Sequence, residues 1–188
     1  QLDRHLDTYR LHMLNAHGAI PDREGVRYET AFVGAAMRGR DNLDYLPARL
    51  SMVPRLIRTH TQPNVVLIHT TTPRNGFVSL GTEVNVLPAA IESVRRHGGI
   101  VIAASNAQMP YTFGDAEVPL EDIDLLIPID EPLATKTPTA PDAVATTIGE
   151  RIARHINDGA TLQLGIGDIP NAVLQALRTR RELHVRSE

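Results

Sequence analysis

The sequence contains no cysteine and no tryptophan in its 188 residues, and only 4% of the residues are aromatic. The absence of cysteine excludes disulfides, thiolate metal sites and a cysteine nucleophile, and it is consistent with a reducing compartment. The few aromatic side chains offer little surface on which nucleic-acid bases could stack. The net charge of -3 provides no electrostatic attraction for a phosphate backbone. We therefore expect no nucleic-acid partner.

Long hydrophobic runs are also missing. No apolar run approaches the roughly 20 residues that span a bilayer, and the N-terminus lacks the charged and apolar regions of a secretory signal. We therefore expect a cytoplasmic protein without a membrane partner. The 42% apolar and 22% charged residues are typical of a globular protein. Because the chain begins with Gln1 and stops in a strand-like segment, we also expect a fragment that is truncated at both ends.

Strand-like apolar runs alternate with amphipathic stretches along the chain. The predicted strands are 9–14, 29–34, 64–70, 100–105, 123–129, 159–167 and 183–187, of which 64–70 and 100–105 have the composition of strands buried on both faces. The predicted helices are 46–59 with Ser51 as a possible N-cap, 84–97 ending at Gly98 and Gly99, 142–157 with an apolar stripe of Val144, Ile148, Ile152 and Ile156, and 170–180.

This alternation predicts an α/β fold, with an open, mostly parallel sheet and helices on both faces. We expect residues 1–188 to form one domain, because no linker separates two complete ones. In such sheets ligands bind beyond the carboxyl ends of the strands. The candidate ligand loops therefore follow Thr70, Ser105, Ile129 and Leu164.

The loop after Leu164 has the sequence Gly165-Ile166-Gly167-Asp168-Ile169-Pro170. Its two glycines permit positive φ and close approach of a ligand, and Pro170 suits the first helical position. Free N–H groups in the first helical turn favour an anion or a developing negative charge. A third glycine and a Gly-Lys-Ser/Thr sequence are both missing, so neither common phosphate motif is present. A tight strand-to-helix turn without a ligand is the alternative interpretation.

Two further loops carry polar groups after predicted strands. Ser79 and Gly81 follow the turn residues Pro73, Asn75 and Gly76, and Asn106, Gln108, Met109 and Pro110 follow the strand 100–105. Both loops could line a pocket, and plain connections are the alternative.

Other candidates are weaker. The eight histidines show no metal-ligand spacing, and we expect no metal. His69 is expected to be a hydrogen-bonded core histidine, and the pair Asp130-Glu131 to be a solvated loop pair. No Gly-x-Ser-x-Gly elbow supports a hydrolase triad.

Four segments, in order, resemble the acetyl-CoA hydrolase/transferase family, which includes 4-hydroxybutyrate and butyryl CoA-transferases. They are TTPRNGFVSLG at 71–81, SNAQMPYTFGD at 105–115, IDLLIPIDEPL at 123–133 and GATLQLGIGDIPNAVLQAL at 159–177. The resemblance implies a CoA-transferase fold, which is related to that of sugar-phosphate isomerases. It implies an enzyme that either moves CoA between an acyl-CoA and a short-chain carboxylate or hydrolyses acetyl-CoA. It also implies a glutamyl-CoA intermediate, an acetate or acyl-CoA metabolic role and a homodimer.

The same resemblance implies which residues line the acyl or carboxylate end of the site. The expected substrate-binding residues are Ser79, Gly81, Asn106, Gln108, Met109, Pro110, Gly165, Ile166, Gly167, Asp168, Ile169 and Pro170. Coenzyme A is expected as a substrate, with no further cofactor. In the family the nucleophilic glutamate belongs to a second domain, so no residue here is assigned as nucleophile, Glu188 included, and this chain alone is expected to be inactive. A ligand-binding or regulatory domain on the same fold is the alternative.

Overall fold

A computed structural model describes residues 2–16, 20–135 and 140–187. The chain forms two compact units, Gln1–Leu133 and Ala134–Glu188, and each unit is described by itself. The expectation that residues 1–188 make up the N-terminal domain of a larger enzyme stays a prediction. Glu188 lies outside the described residues.

The first unit contains eight strands among its described residues. They are β1 (Tyr9–His12), β2 (Val26–Thr30), β3 (Leu43–Tyr45), β4 (Val65–Thr71), β5 (Phe77–Ser79), β6 (Ile100–Asn106), β7 (Glu117–Pro119) and β8 (Leu125–Ile129). Two three-stranded parallel sheets have the orders β1-β2-β3 and β4-β6-β8, and β5 pairs antiparallel with β7.

Short helical segments connect these strands. The α-helices of the first unit are α1 (Val53–Leu56) and α2 (Leu87–Arg96). Turns of 3-10 helix cover Leu2–His5, Ala35–Met37, Leu50–Met52, Gly114–Ala116 and Leu120–Asp122, and a π-helical turn covers Ile57–Thr61 directly after α1. Helix α2 ends as predicted, because Gly98 adopts a φ of +71° immediately after His97.

Three sequence expectations for this unit are wrong in detail. The second strand is Val26–Thr30 rather than 29–34, because the Thr30 hydroxyl accepts a hydrogen bond from the Phe32 N–H and turns the chain. Ser51 is not an N-cap, because it lies inside a 3-10 turn and Met52 precedes α1 without a side-chain cap. The segment 46–59 is therefore helical only from Leu50.

Strand β4 is not buried on both faces. Val66 and Ile68 belong to the main apolar cluster, whereas Val65 and Leu67 are about half exposed. Successive side chains of a strand point to opposite faces, and only one face of β4 meets this cluster. Strand β6 alternates in the same way, with Val101 and Ala103 buried in that cluster and Ile100 exposed. The apolar composition of the strands was therefore a poor guide to two-sided burial.

The second unit consists of β9 (Thr161–Leu164), β10 (His184–Ser187), α3 (Ala143–Ala153) and α4 (Asp168–Ala176) in its described residues. The two strands are parallel. Helix α3 packs on α4 so closely that a β-carbon at Gly149 would lie 2.6 Å from the carbonyl carbon of Ala172. The expected apolar stripe is therefore not the buried face of α3. Small residues at Ala145, Gly149 and Ala153 are buried, and Val144 and Ile152 are exposed.

The predicted α/β class with mostly parallel pairing is confirmed, with the strands divided among four small sheets. In the first unit, the candidate loops after β4, β6 and β8 follow parallel strands at the carboxyl edge of one sheet. The loop after β9 occupies the corresponding place in the second unit.

Candidate functional site

The Ser79 side chain locks together the loops that follow β5 and β6. Its hydroxyl donates to the Thr112 carbonyl oxygen at 2.7 Å and accepts from the N–H groups of Thr112 at 3.0 Å and Gly81 at 3.1 Å. Ser79 is fully buried, and its own N–H donates to the Thr71 hydroxyl at the end of β4. These bonds occupy the one donor and both acceptor positions of the hydroxyl. Ser79 therefore acts on any ligand through the loop geometry that it maintains.

Gly81 and Met109 form the contact at the centre of this loop pair. Gly81 has a φ of +59°, and a β-carbon added to it would lie 2.3 Å from Met109 Sδ, 2.5 Å from Met109 Cγ and 3.0 Å from the Pro110 carbonyl oxygen. Glycine is therefore required by both the backbone angle and the close approach of the neighbouring loop. Thr112 Oγ1 closes the contact by donating to the Gly81 carbonyl oxygen at 2.8 Å.

Asn106 connects the loop after β6 to the loop after β8. The buried amide donates to His69 Nε2 at 3.0 Å and to the Glu131 carbonyl oxygen at 2.7 Å. Its Oδ1 atom accepts from the N–H groups of Gln108 and Glu131, both at 3.1 Å. His69 is therefore a hydrogen-bonded histidine, as expected. The loop pair Asp130-Glu131 is exposed, but Asp130 also accepts from Gln108 Nε2 at 2.8 Å.

The structure thus brings together the six predicted site residues of the first unit, at the edge where β4, β6 and β8 end. Four of them, Ser79, Gly81, Asn106 and Met109, are buried, whereas Gln108 and Pro110 are exposed. Their contribution to substrate binding stays a prediction. What the geometry establishes is a rigid pair of loops, with the polar groups turned inward to hold the loops in place.

The Gly165–Pro170 loop lies in the second unit and has a different construction. Gly167 precedes α4 with φ +120° and ψ −173°, a conformation that glycine alone adopts readily, whereas Gly165 has no positive φ. Helix α4 begins at Asp168, so Pro170 is the third helical residue. The expectation that Pro170 takes the first helical position is therefore wrong. The N-cap makes no side-chain hydrogen bond, and Ile166 is 78% exposed. The first-turn N–H groups therefore have no side-chain cap.

Glu29 is a residue that sequence reasoning missed. Its carboxylate is only 2% exposed at the end of β2, and it accepts from Thr61 Oγ1 at 2.7 Å and pairs with His12 Nδ1 at 2.9 Å. Burial raises the pKa of Glu29, but the hydrogen bonds from Thr61 and His12 outweigh it, and the net pKa lies below the usual value. The sequence of β2 offered no clear signal, because Arg27 and Thr30 make Glu29 one of several polar residues in the strand.

Glu29 is not suited to be a nucleophile. Its Oε1 atom accepts from Thr61 in the π-helical turn and pairs with His12 in β1, and its Oε2 atom lies 3.5 Å from Arg10 Nη1. A carboxylate held in this way is stabilised in the ionised form and shielded from an electrophile. Its role is to fasten β1, β2 and the π-helical turn together.

Among residues 2–16, 20–135 and 140–187, no three His, Asp or Glu side chains converge in a way that could hold a metal ion. No helix in the described part of the chain is long and apolar enough to cross a bilayer.

The fold places this chain in the class of α/β domains with parallel sheets, in which ligands bind beyond the carboxyl ends of the strands. Comparison with known proteins narrows this class. Residues 21–136 match the acetyl-CoA hydrolase/transferase N-terminal domain. The chain belongs to this family.

Relatives and solved structures agree with this assignment. The chain is 35% identical to a 4-hydroxybutyrate coenzyme A transferase of Clostridium kluyveri, over 99% of this chain and 44% of that protein. It is similar to the crystal structure of RipA from Yersinia pestis, with 25% identity and a TM-score of 0.77 over 87% of this chain and 39% of that one. A 4-hydroxybutyrate CoA-transferase of Porphyromonas gingivalis gives 30% identity and a TM-score of 0.67, with coverage of 87% and 42%. The chain thus spans less than half the length of these proteins.

Proposed function

We propose that this chain is part of an acyl-CoA:carboxylate CoA-transferase. The observation that carries the proposal is the similarity to a 4-hydroxybutyrate coenzyme A transferase along 99% of this chain. It is supported by the interlocked loops at the carboxyl edge of β4, β6 and β8, where a small-molecule site is expected in a parallel sheet.

The proposed reaction exchanges CoA between two carboxyl groups. A glutamate carboxylate outside this chain attacks the thioester carbonyl, and CoA leaves as the thiolate, which gives an acyl-glutamyl anhydride. The thiolate then attacks the glutamyl carbonyl, releases the first acid as its carboxylate and leaves a glutamyl-CoA thioester. The second carboxylate reverses both steps, so the products are a new acyl-CoA and the free glutamate. Splitting the exchange into these steps is covalent, ping-pong catalysis.

In this proposal the loops position the acyl group and stabilise the oxyanion that forms on the thioester oxygen. Backbone N–H groups suit that role because they are fixed before the reaction begins. Gly167 and the uncapped first turn of α4 offer such N–H groups in the second unit. Gly81 lets the loops of the first unit approach each other closely. Coenzyme A is the substrate, the site of action is the cytoplasm, and the active protein is a homodimer.

The reaction is tested by incubating the natural gene product that contains this chain with acetyl-CoA and a panel of short carboxylates. Mass spectrometry then follows new acyl-CoA species and free CoA. A new acyl-CoA supports a transferase and identifies its acid, whereas free CoA alone supports a hydrolase. Neither product, with several acyl-CoA donors, would overturn both.

The loop before α4 is tested separately by Gly167→Val. A β-branched residue cannot adopt φ +120° without strain, so we expect turnover to fall by about 100-fold, as when an oxyanion donor is lost. Retained thermal stability would show that the fold survives. Unchanged turnover would remove the loop from the mechanism.

A ligand-binding domain without chemistry is the second candidate. The observation in its favour is that Ser79 and Asn106 use their polar groups inside the protein. Thermal-shift measurements with CoA thioesters and sugar phosphates separate the two, because a thermal shift with CoA thioesters but no product would favour the binding domain.

A further inference from the structure

Three arginines of the first unit lie over tyrosine rings, and one of them differs from the others. Arg23 lies 5.7 Å from the ring centre of Tyr9 and also binds Asp3 at 2.9 Å. Arg40 lies over Tyr28 and has Asp22 at 2.9 Å.

Arg74 lies 5.5 Å from the ring centre of Tyr111. Its guanidinium makes no hydrogen bond or ion pair with any residue in the part of the chain that the structure describes. Of the three stacked arginines in the described part of the chain, Arg74 is therefore the one without an anion.

The backbone of Arg74 is fixed, although its side chain is exposed. The Arg74 N–H donates to the Phe77 carbonyl oxygen at 2.7 Å, and the Phe77 N–H donates back to the Arg74 carbonyl oxygen at 3.0 Å. Asn75 and Gly76 between them adopt φ values of +52° and +83°, as in the tight turns that suit hairpins. The guanidinium therefore starts from a rigid turn and rests on an aromatic ring, which reduces the conformational freedom it would lose on binding.

The ring beneath Arg74 belongs to the loop that packs on Gly81. Tyr111 directly follows Pro110, whose carbonyl oxygen would lie 3.0 Å from a β-carbon added at Gly81, and precedes Thr112, which bonds to Ser79. The Tyr111 hydroxyl donates to Glu117 at 2.7 Å, which orients the ring, and that bond raises the pKa of Tyr111. Phe113 packs beside Tyr111 with the two rings tilted by 58° and their centroids 5.0 Å apart, and it is itself exposed. The free cation thus lies over an apolar aromatic surface beside the proposed acyl loops.

A guanidinium on such a surface fits a carboxylate attached to a short apolar chain. The planar fork of arginine binds a carboxylate through two parallel hydrogen bonds, and the rings contact the methylene groups. We propose that Arg74 binds the distal carboxylate of a short dicarboxylic substrate, whose other carboxyl group takes part in CoA exchange. The inference rests on the proposed function and adds a specificity-determining residue to it.

The experiment compares Arg74→Gln with the unchanged gene product that contains this chain. Acetyl-CoA is the donor, and the acceptors are acetate, butyrate, succinate and glutarate. We expect kcat/KM for succinate and glutarate to fall by about 10- to 100-fold, mainly through KM, because a charged hydrogen-bonded pair is lost. Values for acetate and butyrate should change less than about twofold, and Arg74→Lys should recover part of the preference.

Arg55→Gln serves as the matched control, because Arg55 is an exposed arginine of α1. It should change no acceptor selectively. An equal effect of Arg74→Gln on all four acceptors would overturn the proposal. So would a rise in KM for acetyl-CoA that disappears with 3′-dephospho-CoA thioesters, because the anion would then be the CoA phosphate.

A binding measurement separates this inference from the proposed function. Thermal shifts with succinate and acetate are compared in the unchanged protein and in Arg74→Gln. If no exchange is observed but succinate stabilises only the protein with Arg74, the proposed function fails and the carboxylate site stands. If exchange occurs and succinate binds both proteins equally, the inference fails alone.

Discussion

The two glycine loops in this chain are built in opposite ways. Gly81 in the first unit is surrounded: its loop is bound by the hydroxyls of Ser79 and Thr112, and Met109 occupies the space that a side chain would need. Gly167 in the second unit has, apart from its neighbours in the chain, no atom of a described residue within 4 Å of an added β-carbon, and only its backbone angle requires glycine. The first loop is fixed by its neighbours, whereas the second is fixed by its own backbone and by α4.

This difference bears on how each loop could take part in catalysis. A loop whose geometry is set by buried hydrogen bonds costs little to organise when a ligand arrives. A loop with open space and free N–H groups can instead approach a ligand directly. The first unit therefore contains a loop pair held by buried hydrogen bonds, and the second contains a first helical turn without a side-chain cap. Measurements of the free energy of unfolding test this contrast.

The largest effect is expected at Gly81. Gly81→Ala combines the cost of φ +59° with a clash against Met109, and we expect the free energy of unfolding to fall by about 2–4 kcal/mol. Gly98→Ala is the matched control, because Gly98 has φ +71° and open space around it, and it should cost only about 1 kcal/mol. Urea denaturation measures both. Equal costs would show that the contact with Met109 is not restrictive.

Ser79→Ala should have the next effect. The substitution leaves the N–H groups of Gly81 and Thr112 without their acceptor in a buried site, so we expect a loss of about 2–3 kcal/mol. Ser187→Ala, at an exposed position of β10 in the second unit, should change the stability by less than about 0.5 kcal/mol. A small effect at Ser79 would mean that the loops hold together without this hydroxyl.

Much of the fold could be predicted from the sequence, because the strands β4 and β6 and the helix α2 have strong local patterns. Their ends are marked by turn residues such as Asn75-Gly76 and Gly98. The end of β2 was predicted wrongly, however, because the sequence pattern does not show that the Thr30 hydroxyl accepts from the Phe32 N–H and turns the chain. The buried face of α3 was missed for a related reason. Close helix contact favours Gly149 and its small neighbours over the larger apolar stripe.

The candidate site was predictable only as a set of loops. The order of the family segments identified Ser79, Asn106 and Gly167 as candidate site residues. Whether a polar group faces a ligand or the protein interior, however, is decided by long-range hydrogen bonds. The Ser79–Thr112 bonds join residues 33 positions apart, and the Glu29–Thr61 bond joins residues 32 positions apart. No local pattern contains such information. The missing partner of Arg74 was equally invisible, because it depends on where the other charged groups lie.

Glu29 makes the stability of the first unit depend on pH. Its folded pKa lies below the usual 4.5, so its contribution is complete above pH 4.5 and is lost as the pH falls through the lower folded value. Glu29→Gln should cost about 1–2 kcal/mol at pH 7, and the difference from the unchanged protein should shrink toward pH 3. Urea midpoints between pH 7 and pH 3 test this, with amide exchange to locate the change in β1 and β2. A constant difference over this range would contradict the assignment.

The smallest effect is expected at the start of α3 in the second unit. Asp142 caps this helix by accepting the Ala145 N–H at 2.7 Å. Asp142→Ala should therefore cost about 1 kcal/mol, and Asp142→Asn, which keeps an acceptor oxygen, should cost a few tenths. Amide exchange should report faster opening of the first turn of α3 and unchanged protection around Ser79. If the loss of amide protection instead spread to β5 and β7, the two units would unfold as one cooperative structure. The contrast between a fixed loop and an open loop would then be wrong.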